Sequence, residues 1–480
     1  MLLQELTKER VFYYFSELAK IPHGSRNTKQ ISDYCVRFAT ERGFEYHQDD
    51  LNNVIMIKEA SKGRENDEPI ILQGHLDMVC ERAEGVTKDM SAEGLDLYID
   101  GEYLKAKKTT LGGDDGIAVA MVLALFEDEK LSHPRLEAVF TVDEEIGMLG
   151  AAAIDVSPLK GHTMLNIDSE AEGIFTVSCA GGVVASLRIP ISREDTDKDS
   201  YVIDISGLTG GHSGIEINKG RASANKVMAN ILKELSDQTE FELISVDGGL
   251  KDNAIPVSCA AIIACDKKLD DLAKDVRCIA NPIAQRYKDT DPKMKIDVNP
   301  VHDNKKSSMT RKDTKKVIEA LYSLPEGVQK MSSDIEGLVQ TSLNMGILST
   351  ENDHLEMSYC VRSIVDSQKK ELTDILKKKA EETKGELILT GDYPEWQYKQ
   401  DSLLRDRMVE IYKEQYGSDP VIEAVHAGVE CGLFAGKIPG LDCVSYGPNL
   451  LEIHTCRERM DIESVRRVYR FTRKIIEDFK

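Results

Sequence analysis

Apolar and polar positions alternate between two periods along the first 190 residues of the chain. Residues 5–20 and 27–42 carry apolar side chains at helical spacing, and Gly43 follows the second of these segments. Short apolar runs at 69–72, 138–142 and 164–167 have the composition of buried strands. Helices that alternate with such strands are typical of an α/β domain with a mostly parallel sheet.

The pattern changes after residue 190. A charged stretch at 192–199 leads into strands that alternate with amphipathic helices. The predicted strands lie at 201–205, 260–265 and 355–361, and the predicted helices lie at 222–236, 268–289, 314–324 and 369–384. We therefore predict an α+β domain of residues 191–389, inserted into a discontinuous α/β domain of residues 1–190 and 390–480.

Four clusters of acidic residues stand where predicted strands end or a helix begins. In chain order they are Asp77 with His75, Asp114 with Asp115, Glu144 with Glu145, and Asp168. Ligand sites in open α/β sheets form at the carboxyl ends of strands, so these clusters can converge on one crevice. Taken singly, each cluster also suits a helix N-terminus or an acidic loop.

Of the four clusters, the adjacent glutamates Glu144 and Glu145 are the least easily explained as a helix N-terminus or an acidic loop. Like charges at a buried strand end repel each other, and a cation would neutralise them. His75 and Asp77 lie two residues apart on an extended segment, so one can bind a metal while the other orients it. With one more histidine, these N and O donors suit zinc, manganese or cobalt and are numerous enough for two ions.

In order and spacing, these clusters resemble the di-zinc aminopeptidase and carboxypeptidase clan. Within the clan the chain is most similar to the aminoacyl-histidine dipeptidases, the bacterial carnosinase-like or peptidase D group. The segments 210–214, 252–256, 361–367 and 426–432 also fit this group, and the resemblance covers nearly the whole chain. It implies an α/β catalytic domain with a mostly parallel sheet and two bound metal ions, and it identifies the inserted α+β domain as a lid.

The resemblance also implies a set of metal ligands and a general base. His75 and Asp168 would bind opposite metals, Asp114 would bridge them, and Glu145 and His454 would complete the two sites. Asp77 would hydrogen-bond the second nitrogen of His75, and Glu144 would take a proton from the metal-bridging water. Two alternatives stay open, because Asp115 competes with Asp114 for the bridge and His426 competes with His454.

Three residues of the lid are implied to meet the substrate. His212, in the sequence Gly-Gly-His-Ser-Gly, would stabilise the oxyanion of the tetrahedral intermediate. Arg362 would bind the terminal carboxylate with its planar guanidinium group, and Asn253 belongs to the same substrate-binding set. Without the resemblance, His212 is equally compatible with an ordinary loop and Arg362 with a surface ion pair.

These assignments predict a metal-dependent dipeptidase for unblocked dipeptides, Xaa-His among them. The alternatives are a related amidohydrolase that deacylates N-acyl amino acids and an idle metal-binding scaffold. Two loops depart from the group's pattern. Asp115 stands where relatives often carry asparagine, and the residues after His454 read Thr-Cys-Arg-Glu in place of Ser-Pro-Asp-Glu.

The amino-acid composition disfavours several classes of binding partner. Its 61 Lys and Arg against 83 Asp and Glu give a formal net charge of −22, which disfavours nucleic acid and anionic lipid. No stretch approaches the ~20 apolar residues of a membrane span, and the N-terminal residues lack the apolar core of a secretory signal. We expect a cytoplasmic enzyme that acts on small peptides, with monomer and homodimer both open.

Overall fold

The computed structural model of the chain describes residues 2–301, 307–333, 335 and 337–479. It divides into two compact units. Unit 1 takes the chain up to Cys179, Trp396–Ala424 and the residues from Val429 onward, and unit 2 takes Ala180–Glu395 and Val425–Gly428. Each unit has its own hydrophobic core.

The elements of unit 1 before the insertion alternate largely as the sequence predicts. They are α1 (Leu3–Leu6), α2 (Arg10–Leu18), α3 (Lys29–Arg42), β1 (Glu45–Gln48), β2 (Val54–Lys58), β3 (Ile70–His75), β4 (Leu97–Asp100), β5 (Tyr103–Ala106), α4 (Gly113–Glu127), β6 (Leu136–Thr141), α5 (Leu149–Ala153), β7 (Thr163–Asn166) and β8 (Ile174–Cys179). Helix α4 is small and apolar on every face, as expected of a fully buried helix, and it packs against α2 and β3.

The elements of the insertion are mostly strands. They are β9 (Gly181–Pro190), β10 (Arg193–Asp195), β11 (Asp199–Ser206), β12 (Gly211–His212), α6 (Ala224–Ser236), β13 (Glu242–Gly248), β14 (Ala254–Ile255), β15 (Cys259–Cys265), α7 (Leu269–Arg286), β16 (Lys295–Pro300), β17 (Ser307–Met309), α8 (Arg311–Ser323), β18 (Gly327–Met331), β19 (Val339–Thr350), β20 (His354–Ser363), α9 (Asp366–Thr383) and β21 (Glu386–Tyr393). A short 3-10 helix, Ile217–Lys219, follows β12.

The remaining elements complete unit 1. They are α10 (Leu403–Tyr416), β22 (Val421–Val425), α11 (Glu430–Lys437), β23 (Asp442–Ser445), β24 (Leu450–Leu451), β25 (Arg459–Asp461) and α12 (Ile462–Asp478). The main sheet has the order β1-β2-β6-β3-β7-β23-β8-β22. Its four central strands, β6, β3, β7 and β23, are parallel, while β1, β2 and β8 pair antiparallel at its sides. The predicted α/β class with parallel strands is thus confirmed.

Unit 2 is built on an antiparallel sheet with the order β16-β11-β15-β13-β19-β20-β9-β21, and β18 pairs with β19 beside this path. Helices α6, α7 and α8 pack together, and α9 lies on β9, β20 and β21. The predicted α+β character of the insertion is confirmed. Among the described residues, no helix is both long and apolar enough to cross a membrane.

The unit boundaries lie at residues 179/180 and 395/396, whereas the sequence analysis placed them at 190/191 and 389/390. The first difference arises because β9 pairs along its whole length with β20, so residues 181–190 belong to the inserted sheet. The second arises because β21 pairs with β9 as far as Tyr393. Residues 425–428 join unit 2 because the Ala180 amide donates to the Val425 carbonyl and His426 bonds Ser342.

Candidate metal centre and active site

The acidic clusters of unit 1 meet at the carboxyl ends of its central strands. His75 is the last residue of β3, and Asp168 lies two residues beyond the end of β7. His75 Nε2 is 3.1 Å from Asp114 Oδ1 and 3.5 Å from Asp168 Oδ1. The ligand atoms of these three side chains all lie within 4.8 Å of one another. They form the first metal-binding group. His75 and Asp168 therefore lie in the same group, whereas the sequence analysis assigned them to opposite metals, because the ends of β3 and β7 are neighbours in the sheet.

A second group forms around His454, which lies beyond β24. His454 Nε2 is 3.1 Å from Asp114 Oδ2 and 3.0 Å from Glu145 Oε2. Asp114 therefore belongs to both groups, with one carboxylate oxygen facing each histidine. Two-metal hydrolases place their ions about 3.5–4 Å apart, a distance that one shared carboxylate can span.

Asp115 has different surroundings from Asp114, although the two are adjacent at the start of α4 and joined by a cis peptide bond. Asp115 Oδ2 accepts a hydrogen bond of 3.1 Å from the His75 amide, and its side chain is fully buried. A Cβ atom at Gly74 would come within 2.5 Å of this oxygen, so the site requires glycine there. Asp115 contacts the backbone of a candidate ligand and belongs to neither group.

The clustered carboxylates of both groups favour positive charge in the site. Burial disfavours a charged His75, but Asp168 and Asp114 raise its pKa well above the ordinary value. Hydrogen bonds to Asp114 and Glu145 raise the pKa of His454 to about 10. Burial raises the pKa of Asp168. So many carboxylates in so small a volume hold their charge most easily when a cation shares the site.

The donor set fits a divalent cation. It combines imidazole nitrogens with carboxylate oxygens, the ligands that zinc, manganese and cobalt accept in proteins. Glu145 Oε1 is buried and has no hydrogen-bond partner within the described part of the chain. A buried carboxylate oxygen without a partner is costly, and a bound cation would satisfy it.

Asp77 organises the turn that carries the two glutamates. Its carboxylate accepts hydrogen bonds from the amides of Glu144, at 3.0 Å, and Glu145, at 3.4 Å, and from the Ser25 hydroxyl, at 2.8 Å. The nearest partner of His75 Nδ1 is the Asp77 carbonyl oxygen, at 2.9 Å, and the Asp77 carboxylate lies farther away, at 3.5 Å. Asp77 thus holds the histidine and the glutamate turn together.

Glu144 is mostly enclosed and has the character of a proton acceptor beside the metal groups. Burial raises its pKa well above the ordinary value, and although His75 opposes this shift, Asp168 adds to it. A carboxylate with a raised pKa takes protons more readily at neutral pH. Glu144 therefore combines a raised pKa with a position directly before Glu145, a member of the second group.

A buried hydrogen-bond network lies one layer below the candidate ligands, and the sequence analysis assigned no role to it. Glu430, the first residue of α11, accepts hydrogen bonds from Thr141, at 2.7 Å, and Gln73, at 2.5 Å. The Asn166 side chain donates to Gln73 Oε1. Gln73, Thr141 and Asn166 lie on β3, β6 and β7. These three strands lead to His75, to the glutamate turn and to Asp168. Burial raises the pKa of Glu430 to about 7.

Glu458 is a second residue whose role the sequence did not reveal. Its carboxylate accepts hydrogen bonds from the amides of Leu111, Gly112 and Gly113, at 2.7, 3.2 and 2.8 Å. Three amides on one carboxylate fix the loop that presents Asp114. The only sequence signal was its position four residues after His454, within a loop that departs from the group's pattern.

The Glu430 network is expected to stabilise the fold. Glu430→Leu removes the main acceptor of the Gln73 amide and the Thr141 hydroxyl, which keep only longer hydrogen bonds, from Gln73 to Thr141 Oγ1 at 3.3 Å and from Thr141 to the Gly74 carbonyl at 3.4 Å. We expect a loss of about 1–3 kcal/mol in the free energy of unfolding. Glu430→Gln retains an acceptor oxygen, so we expect a much smaller loss. Urea unfolding of the two variants measures the difference. Equal stability of both variants would show that these hydrogen bonds contribute nothing.

Unit 2 contains the other predicted residues, and His212 has a defined tautomer. Its Nδ1 accepts hydrogen bonds from the amides of Gly214, at 3.1 Å, and Ile215, at 3.3 Å. Burial, followed by the charge of Arg362, lowers the pKa of His212, so the neutral ring carries its proton on Nε2. That N–H is available as a donor. Asn253 is exposed, and its carbonyl accepts a hydrogen bond from the Ser213 amide at 2.9 Å.

Arg362 lies on β20 and is only 7% exposed. Its Nη1 donates to the Tyr393 hydroxyl at 2.7 Å, so the surface ion pair considered from the sequence is absent among the described contacts. His426, the rival metal ligand, is buried and bonds Ser342 at 2.7 Å. Burial and then Arg362 lower its pKa to about 3. His426 belongs to unit 2 and to neither metal-binding group.

Comparisons with known proteins agree with this architecture. Residues 203–291 match the M20 peptidase dimerisation domain. The chain is 33% identical over 470 residues to the cytosol non-specific dipeptidase of Escherichia coli, covering 96% of each chain. A crystal structure of aminoacylhistidine dipeptidase from Vibrio alginolyticus superposes with a TM-score of 0.90 at 32% identity, covering 98% of this chain and 96% of that one.

A more distant structure, an aminopeptidase from Bacillus cereus, shares the fold with a TM-score of 0.56 at 16% identity and covers 98% of both chains. The chain belongs to the M20 metallopeptidase family, in its aminoacylhistidine dipeptidase group. It is a peptide hydrolase, and the family and enzyme class predicted from the sequence are confirmed.

Proposed function

We propose that the chain hydrolyses unblocked dipeptides, Xaa-His among them, with two divalent cations held by the two groups of unit 1. His75 and Asp168 belong to one cation, Glu145 and His454 to the other, and Asp114 to both. The observation that carries this proposal is the orientation of Asp114, whose two oxygens lie 3.1 Å from one histidine each. Zinc is the first candidate, and manganese and cobalt suit the same donors.

Bound cations would polarise the peptide carbonyl and lower the pKa of water from 15.7 to about 7. The residues of the chain carry out the rest of the reaction. Glu144 accepts a proton from the attacking water and delivers it to the departing amine. Asp77 keeps Glu144 and His75 in place through the hydrogen bonds to the Glu144 amide and the His75 ring.

We assign two roles in substrate binding to unit 2. The Nε2–H of His212 donates to the oxygen that becomes negatively charged when the carbonyl is attacked. The guanidinium group of Arg362, oriented by Tyr393, binds the terminal carboxylate, and Asn253 contributes to the same subsite. Both assignments follow from the resemblance and from the donor geometry within unit 2.

The match of residues 203–291 to a dimerisation domain supports a homodimer. Sedimentation equilibrium, which measures the molecular mass in solution, tests this. The name of the Escherichia coli relative supports a cytosolic location. The acidic composition supports small peptides, and neither nucleic acid nor membrane, as partners.

The test of the proposed function is hydrolysis after metal removal and replacement. We expect chelated protein to regain cleavage of Ala-His and Ala-Leu when zinc, manganese or cobalt is added, with about two ions bound per chain. Carnosine and an N-acetylated amino acid complete the panel. Cleavage of the acetylated compound alone would indicate an amidohydrolase, and two bound ions without turnover of any compound would indicate a scaffold.

A further inference from the structure

Unit 1 contains a cavity of about 560 Å³ that shares Glu145 with the second metal-binding group. Four chain segments line it, at 24–27, 78–82, 89–91 and 145–146. Apolar side chains on its wall include Met78, Met90 and Ile146. Cavities of roughly 300–1,000 Å³ are typical of small-molecule sites, so this one is large enough for any amino-acid side chain.

The walls of the cavity are joined by hydrogen bonds. Asn27 donates to the Ser91 carbonyl at 3.0 Å, which connects the first and third segments. The Met78 amide of the second segment donates to the carbonyl of His23, the residue before the first segment, at 3.2 Å. The Arg26 amide donates to Asp143 at 2.6 Å and so connects the first segment to the glutamate turn. The cavity is therefore preformed, as ligand sites commonly are.

We propose that this cavity receives the side chain of the N-terminal residue of the dipeptide. The inference rests on the proposed function. The Cα atom of the N-terminal residue is bonded directly to the scissile carbonyl carbon, so its side chain must lie beside the metal ligands. Glu145 is both a candidate ligand and a wall of the cavity.

The lining determines which side chains are accepted. Methionine side chains are flexible and polarisable, so Met78 and Met90 adapt to apolar groups of different shape. The rim carries two carboxylates, Glu81 and Asp89, against one guanidinium group, Arg82. This excess of negative charge favours neutral and cationic side chains over acidic ones. The subsite is broad in size and selective in charge.

Cys80 allows the cavity to be filled reversibly, because it lies on the wall and is exposed. In a Cys278→Ser, Cys456→Ser background, which removes the other exposed or partly exposed cysteines, benzyl methanethiosulfonate converts the Cys80 thiol into a mixed disulfide and releases methanesulfinic acid. Dithiothreitol restores the thiol. We expect the label to lower kcat/KM for Phe-His, Met-His and Lys-His by about tenfold or more, and to change Gly-His by less than about twofold.

The matched control is the Cys80→Ser, Cys278→Ser, Cys456→Ser protein, whose kcat/KM values should be the same before and after the treatment. Met90→Trp fills the same space without chemical labelling, and Met90→Leu controls for the substitution. Equal losses for Gly-His and Phe-His would overturn the assignment. Loss for Gly-Phe with Phe-Gly unaffected would overturn it in favour of the C-terminal side chain. No Gly-His hydrolysis by the unlabelled protein would overturn the proposed function and this subsite with it.

Discussion

Asp114→Ala is expected to remove both metal ions and dipeptide hydrolysis together. Each oxygen of this carboxylate faces a different histidine, so its loss takes one ligand from each group. The fall in kcat/KM should exceed the roughly 10–100-fold that is typical when an outer partner of a ligand is lost. Metal content by atomic emission and turnover of Ala-His measure the two effects.

The matched control for Asp114 is its neighbour. Asp115→Asn retains an oxygen that can accept from the His75 amide, so we expect the metal content to be unchanged and activity to fall by no more than about 100-fold. If Asp115→Asn lost both ions while Asp114→Ala kept them, the bridge would belong to Asp115. Circular dichroism of both variants shows whether the fold is retained.

Glu144→Gln is expected to abolish turnover while leaving both ions in place. The amide cannot accept the proton of the attacking water, and general-base catalysis contributes roughly 10²–10⁴-fold. Glu144 belongs to neither metal-binding group, so the metal content should match that of the unaltered protein. Initial rates on Ala-His should show a fall in kcat with little change in KM.

Glu129→Gln is the control for removal of a carboxylate from the same unit. Glu129 is exposed in the loop that follows α4. Its activity should be unchanged. Loss of metal from Glu144→Gln, or kcat within about tenfold of the original value, would remove Glu144 from the role of general base.

The helices predicted from hydrophobic periodicity lie within a few residues of observed helices, except that the segment 5–20 overlaps two of them, α1 and α2. Residues 27–42 were predicted as a helix ended by Gly43, and α3 is Lys29–Arg42 with Gly43 in the left-handed region. The inserted helix predicted at 369–384 is α9, Asp366–Thr383. These segments were predictable because one face of each packs on a core, and that face appears in the sequence as apolar residues at helical spacing.

The convergence of acids was also predictable, because parallel strands end at one edge of a sheet. The choice between Asp114 and Asp115 was not. Both have non-helical backbone angles at the start of α4, so helical periodicity gives no direction for either side chain. The network around Glu430 depends on contacts with Gln73 and Thr141, which are hundreds of residues away in the chain. No local pattern records such a contact.

The boundary predicted at residue 190 differs from the unit division at 179/180 for a related reason. The residues that end the first α/β pattern and those that begin the inserted sheet are equally apolar, so composition does not separate β8 from β9. Strand pairing with β20 decides the assignment, and pairing between distant strands is not visible in one sequence. The four residues 425–428 were missed because so short a segment has no periodicity.

The chain passes from one unit to the other four times, at 179/180, 395/396, 424/425 and 428/429. Unit 2 is therefore not a single cassette. A recombination event that transplanted only residues 180–395 into a relative would leave behind the Val425 carbonyl that accepts from Ala180 and the His426 ring that bonds Ser342. Exchange of lids between members of the family thus requires two matched segments, which ties the evolution of the short one to that of the long one.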